Sequence, residues 1–227
     1  MSFSQTGEDQ LILSYLPKEN GFFVDVGAFH PTQYSNTFAL YLRGWRGINV
    51  EPNPNAVALF KQLRPDDLHL QIGVSQSEKP LDYISFNNPL CNTFQSDFAK
   101  SVLKFDSEYV VQNVQHQIET MSLCRILDQY FSSAVKFDLL SVDAEGMDLE
   151  VLSSNDWTRY RPELVLVEDH DFEIEVPHFS EIYQFMKEKG YVAVGKTLSS
   201  VLFHEGIALS QKKKFKVKST SSLKGIS

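Results

Sequence analysis

The stretch that most constrains this chain is residues 21–31, GFFVDVGAFHP. Phe22, Phe23, Val24 and Val26 form an apolar run without regular polar alternation, the pattern of a strand buried on both faces. The run ends at Asp25-Val26-Gly27 and gives way to a polar turn, His30-Pro31-Thr32, and then to a helical pattern. A buried strand that stops at a small residue and turns into a helix is where open α/β sheets hold nucleotide-like ligands.

The same unit recurs along the chain. Residues 4–16 predict an N-terminal helix, with Ser4 or Thr6 as cap, Glu8 and Asp9 in its first turn, and Pro17 and Asn20-Gly21 beyond its end. After the first strand, residues 37–43 predict a helix stopped by Gly44. Residues 47–50 predict a second strand, 55–63 a helix and 68–74 a third strand, the first half of a doubly wound sheet. Residues 122–130 predict a helix, 137–142 a strand, and 164–167 another fully apolar strand. An amphipathic helix at 179–189 precedes strands at 191–194 and 200–203, close enough for a hairpin that sets the last strand antiparallel. The expected fold is α/β, a Rossmann-like seven-stranded, mostly parallel sheet with a C-terminal antiparallel hairpin. One domain is expected over 1–210, with residues 87–117 an irregular insertion over the mouth of the site. Residues 211–227 read as a basic, disordered tail.

Composition narrows the function classes. A formal net charge of −8 argues against a nucleic-acid partner. Cys91 and Cys124 fit no zinc or redox spacing. The N-terminus lacks the basic and apolar regions of a secretory signal, and no apolar run reaches membrane-spanning length, so a cytoplasmic location is expected. Oligomeric state is not legible.

The chemistry is expected at the carboxyl ends of the strands. Asp25 is an acid in an apolar run, and a buried carboxylate needs a partner. A cationic group such as a methionyl ammonium, or its water shell, would serve; so would a local turn that Asp25 caps. Gly27 lets backbone approach bound atoms closely. Glu51 ends the second strand, where an acid can accept both hydroxyls of a ribose, and Ser75 ends the third, where an adenine edge should fall. There is no G-x-G-x-x-G, which disfavours the alternative of an NAD-linked oxidoreductase. Asp143 ends one later strand; Glu168, Asp169 and His170 end its expected neighbour. Together they suit Mg²⁺ or Mn²⁺, which could bind two substrate oxygens and acidify one of them. Asp143 and Glu145 equally suit capping of the following helix. His170 and His30 are the candidate general bases for a hydroxyl acceptor.

Several stretches together resemble a known family. SQTGEDQLI from Ser4, FVDVGAFHP from Phe23, GINVEPNP from Gly47, SLCRILDQY from Ser122 and DLLSVDAEGMDLEVL from Asp138 are similar to the FkbM-type S-adenosylmethionine-dependent methyltransferases. The resemblance implies a class I methyltransferase fold and O-methylation, commonly of sugars in glycans or nucleotide sugars, or of polyketide-type products. It implies Asp25, Gly27, Glu51 and Asn53 as cofactor contacts. It implies Gln5, Gly7 and Asp9 as a lid or further contacts, and Asp143 and Glu145 as residues beside the reacting centre, with Asp143 also touching the cofactor. A non-catalytic binding module on the same fold is the other alternative. It is disfavoured by acids standing at four successive strand ends.

Overall fold

Each apolar run becomes a strand, one of them broken. A computed structural model of the chain describes residues 1–105, 112–132 and 134–206; the expected tail at 211–227 lies outside them. In chain order the elements are α1 (Glu8–Tyr15), β1 (Phe22–Val26), α2 (Phe38–Tyr41), β2 (Arg46–Val50), α3 (Pro54–Leu63), β3 (Leu68–Leu70), β4 (Gly73–Val74) and β5 (Leu81–Phe86). They continue with α4 (Ser96–Phe105), β6 (Gln112–Ile118), β7 (Thr120–Met121), α5 (Leu123–Tyr130), β8 (Leu139–Val142), α6 (Asp148–Ser153), β9 (Leu164–Glu168), α7 (Glu181–Glu188), β10 (Tyr191–Lys196) and β11 (Ser200–Glu205).

The seven-stranded sheet has the order β10-β11-β9-β8-β1-β2-β3. β11 runs antiparallel to both β9 and β10, while the pairings of β9, β8, β1, β2 and β3 are all parallel. This is the class I methyltransferase sheet. The hairpin expected at the C-terminus is present, and it folds β11 back inside the sheet rather than leaving it at the edge. Strand order reverses around β1, so the ends of β1, β2, β8 and β9 open toward one crevice, the position where such sheets hold ligands.

Alternate residues of β1 feed two cores, as a doubly covered strand requires. Val24 and Val26 pack with Leu123, Ile126 and Leu127 of α5 and Val151 and Leu152 of α6. Phe23 packs with Ile12 of α1, Leu40 of α2 and Trp45 on the other face. A polar row crosses that second face: Ser141, Asp25, Asn49 and His69 stand side by side in register on β8, β1, β2 and β3. Hydrophilic side chains at sheet centre need partners, and α2 and α3 supply them, as described below.

Two expectations are corrected. The third strand breaks after Leu70 because β4 turns away to pair with β7. A Cβ on Gly73 would lie 2.8 Å from the Phe94 ring, so only glycine lets that ring close over the turn. The insertion is ordered where it is described. β5 pairs antiparallel with β6, Ile84 bridges Thr93, and α4 lies between them in sequence. Ala99, Val102 and Leu103 gather with Ile84 and Phe86 into a small core of their own.

Candidate active site

The crevice holds an open-mouthed pocket at the switch point of the sheet. Its floor is the ends of β1, β2 and β8, with Asp25, Gly27, Glu51 and Asp143 in the wall. Gln5 and Asn36 close one side, and Tyr83, Asn92 and Phe94 of the insertion another. Sequence reasoning expected residues 87–117 over the mouth of the site but named no lining residue there. The segment has no periodic signal, and only the β5–β6 pairing brings it over the site.

Gly27 has φ 74, and a Cβ there would lie 1.7 Å from the carbonyl oxygen of Asp143. Its smallness thus serves contact between the β1 and β8 loops, not only approach to a ligand. Asp25 is buried, and its Oδ2 accepts from Thr37 Oγ1 at 2.7 Å. Burial raises its pKa, opposed by the Thr37 hydrogen bond and by Arg64. Glu51 accepts from the Phe29 N–H through Oε2 at 2.9 Å and from the Asn53 N–H through Oε1 at 2.8 Å. Burial pushes it up to about 7 despite both bonds. Each oxygen keeps a lone pair for a ligand donor.

Beyond Asp143 the chain turns through Glu145 at φ 48 and Gly146 at φ 93. A non-glycine residue in that region is strained and persists only where its surroundings impose it. Here they do: Thr93 Oγ1 donates to the Glu145 carbonyl at 2.8 Å, and Asp148 accepts from the Ala144 and Gly146 N–H groups at 2.9 and 3.2 Å. Asp148 therefore fastens the loop before α6, and neither Asp143 nor Glu145 is a cap. Asp143, Glu145 and Glu168 instead converge, each offering an oxygen within 4.8 Å of the others. Burial and the neighbouring Glu168 carboxylate hold Asp143 well above the usual carboxylate range. Burial, with Glu168 and Asp148 nearby, pushes Glu145 up to about 8. Asp143 Oδ1 is buried and has no donor among the described residues. A shared proton or a cation would satisfy it.

The other expected residues fall elsewhere. Asp169 turns away from the trio and accepts from Ser180 Oγ at 2.5 Å, so the third acid is Glu145 instead. His170 Nε2 lies 3.2 Å from Glu168 Oε1, with its side chain 68% exposed, behind the trio rather than in it. A second cleft, lined by Glu168, Asp169, His170, Asp171 and Glu181 with Phe98 and Ile182, abuts the trio from that side. His30 is not in the pocket wall. Its Nδ1 accepts from the Thr32 and Gln33 N–H groups at 3.1 and 3.0 Å, and burial lowers its pKa, so it braces its own loop. Asn53 caps α3, accepting from the Asn55 N–H at 3.0 Å. Ser75 donates to Glu150 at 3.0 Å. Neither is in the pocket wall. Of the N-terminal motif, only Gln5 is in it. Gly7 turns the chain at φ 99, Asp9 accepts from Ser2 Oγ and the Phe3 N–H, and Glu8 accepts from Thr197 Oγ1 at 2.6 Å. These bonds hold the segment carrying Gln5 across the sheet edge.

A reversed-order parallel sheet with one inserted antiparallel strand and a ligand pocket at its switch point defines a class I methyltransferase. The chain belongs to the methyltransferase FkbM domain family, whose profile matches residues 25–193. S-adenosylmethionine is the methyl donor expected for that family, and the oxidoreductase alternative is set aside. Similar solved structures include a Pyrococcus horikoshii protein provisionally described as an RNA methyltransferase, 14% identical over 88% of this chain and 84% of that one, with a TM-score of 0.43. Another is precorrin-6y C5,15-methyltransferase from Geobacter metallireducens GS-15, 12% identical over 87% of each chain, with a TM-score of 0.37. Among curated proteins, none matches. No helix among the described residues is long and apolar enough to cross a membrane.

Proposed function

We propose that the protein methylates a sugar hydroxyl of an uncharged glycan, with the Asp143, Glu145 and Glu168 carboxyls at the reacting centre. The observation that carries this reading is the convergence of those three acids between two cavities. The first pocket suits the donor: its charged wall residues are all acids, complementary to a cationic ligand. Asp25 faces the donor's ammonium, and Glu51 accepts from its ribose hydroxyls. S-adenosylmethionine, when bound, supplies a methyl group already activated on a positively charged sulfur.

The second cleft suits the acceptor. Its wall offers carboxylates and an imidazole, which accept hydrogen bonds from sugar hydroxyls. It has no lysine or arginine among its described lining residues, so the diphosphate of a nucleotide sugar meets like charge there. The hydroxyl must lose its proton as its oxygen gains the methyl group. Glu145 can accept that proton in its ionised form, whose share grows as pH rises toward about 8. His170, on the far side of Glu168, is placed to relay it to solvent. Three hard oxygen donors also suit Mg²⁺ or Mn²⁺. Asp143, Glu145 and Glu168 would hold such an ion, without Asp169 and His170, and it would supply Lewis acidity toward a substrate hydroxyl.

The test is mass spectrometry of neutral glycans, nucleotide sugars, RNA and free amines incubated with the protein and S-adenosylmethionine, before and after exhaustive chelation. The expected product is a neutral glycan heavier by one methyl group, formed only with Mg²⁺ or Mn²⁺ restored. Methylation confined to RNA or amines would sink the acceptor reading, and full turnover after chelation would sink the metal.

A further inference from the structure

A fully buried arginine is unfavourable unless its charge and its hydrogen-bond donors are matched. Arg64, at the end of α3, is 0% exposed. Its Nε donates to Asp67 Oδ2 at 2.9 Å, and its Nη2 lies 2.8 Å from the same oxygen. Nη1 donates to Thr37 Oγ1 at 3.0 Å, and Thr37 Oγ1 in turn donates its O–H to Asp25 Oδ2 at 2.7 Å. The rings of Phe23, Tyr41 and Phe60 surround the guanidinium at 5.2, 5.1 and 5.4 Å. On the far side, Asp67 Oδ1 accepts from the Gly47 N–H at 2.9 Å.

The charges in this network do not cancel. Asp25 and Asp67 oppose one guanidinium, and Asp67 makes the direct pair with it. Asp25, in the wall of the donor pocket, has no direct cationic partner among the described residues. At the neighbouring strand ends stand the acids Glu51 and Asp143, and among the described residues the cation that acts on Asp25 is Arg64. A direct Arg–Asp25 pair would neutralise that carboxylate. A hydroxyl placed between them orients it and leaves its charge for a ligand.

We propose that Thr37 and Arg64 are positioning residues, which hold the Asp25 carboxylate toward the amino-acid end of the methyl donor. The inference rests on the reading above that Asp25 faces the donor's ammonium, and it extends the site to a helix end no ligand touches. It also accounts for the polar row across the sheet: Asn49 donates to Asp67 at 3.3 Å, and His69 Nε2 contacts the Arg64 carbonyl at 2.8 Å.

The experiment compares binding of S-adenosylhomocysteine, which carries the ammonium, with 5′-methylthioadenosine, which lacks it. Calorimetry on wild type, Thr37→Val and Thr37→Ser reads both affinities. Loss of a hydrogen bond to a charged group predicts that Thr37→Val binds S-adenosylhomocysteine about tenfold more weakly. The same variant keeps its affinity for 5′-methylthioadenosine within about twofold, since only the charged end has lost its anchor. Thr37→Ser restores wild-type binding. Arg64→Lys, which keeps a charge but not the planar fork, shows the same selective loss. Unchanged affinity in Thr37→Val, or an equal loss for both compounds, overturns the positioning role. A wild type with no preference for the ammonium-bearing compound overturns the reading of Asp25 as well.

Discussion

Gly27 and Asp143 meet where the β1 and β8 loops cross, and the site depends on how closely they do so. A Cβ on Gly27 would lie 1.7 Å from the Asp143 carbonyl oxygen, at a φ of 74 that L side chains rarely adopt. Gly27→Ala must therefore push the β8 loop outward, carrying Asp143 with it. The expected outcome is a loss of at least ~2 kcal/mol of stability in urea unfolding, together with a large loss of S-adenosylhomocysteine affinity. Wild-type stability in this variant would show that the loops are not in fixed contact. The acids of the site were legible as residues, because they stand at or close to the ends of apolar runs. Their directions were not: Asp169 and Glu168 are neighbours, yet one bonds Ser180 and the other faces Asp143 and Glu145. His30 looked like a base in sequence, and its ring instead accepts two backbone N–H groups of its own loop.

Capping and local packing account for most of what the elements do. Asn53, Ser122 and Ser180 each accept from a backbone N–H in the first turn of α3, α5 and α7, so three helices start at a side-chain oxygen. For Asn53 this role separates cleanly from cofactor contact. Asn53→Ala should cost about 1 kcal/mol of stability through the lost cap. It should leave S-adenosylhomocysteine affinity within about twofold, because Asn53 is absent from the pocket wall; a tenfold loss of affinity would put its side chain on the ligand after all. The β5–β6 unit was the least legible element. Ala99, Val102 and Leu103 do follow helical spacing, but their apolar face is narrow and covers only a satellite core. What makes that unit part of the site is long-range: Thr93 tied to the Glu145 carbonyl, and Phe94 closing over Gly73.

At the scale of the molecule, the concentration of buried acids couples pH to stability and to ligand binding. Glu51 and Glu145 ionise near about 7 and about 8 in the folded chain, against an ordinary 4.5, because burial opposes their charge. Between those values the folded state holds protons that the unfolded chain has released. Stability from these groups is thus fully present below about pH 4.5 and is lost as pH rises through about 7 and 8. The melting temperature of the ligand-free protein should fall between about pH 5 and pH 8. S-adenosylmethionine affinity should rise over the same window, as the carboxylates facing a cationic ligand become charged. Scanning calorimetry and binding titrations at matched ionic strength check both, and a melting temperature that climbs through this window would contradict the burial of these groups.

The sequence by itself determined the α/β class, the family, the strands and helices of the seven-stranded sheet outside the insertion, and the acids at the strand ends. Those features follow from apolar runs, caps and turn residues only a few positions apart. Tertiary structure alone decided the insertion of β11 between β9 and β10, which residues of the insertion line the pocket, and the turning of Asp169 away from Asp143 and Glu168. It alone set Arg64 behind Asp25. Each of these depends on contacts between residues far apart in the chain, and on which way a side chain turns once its strand is in register.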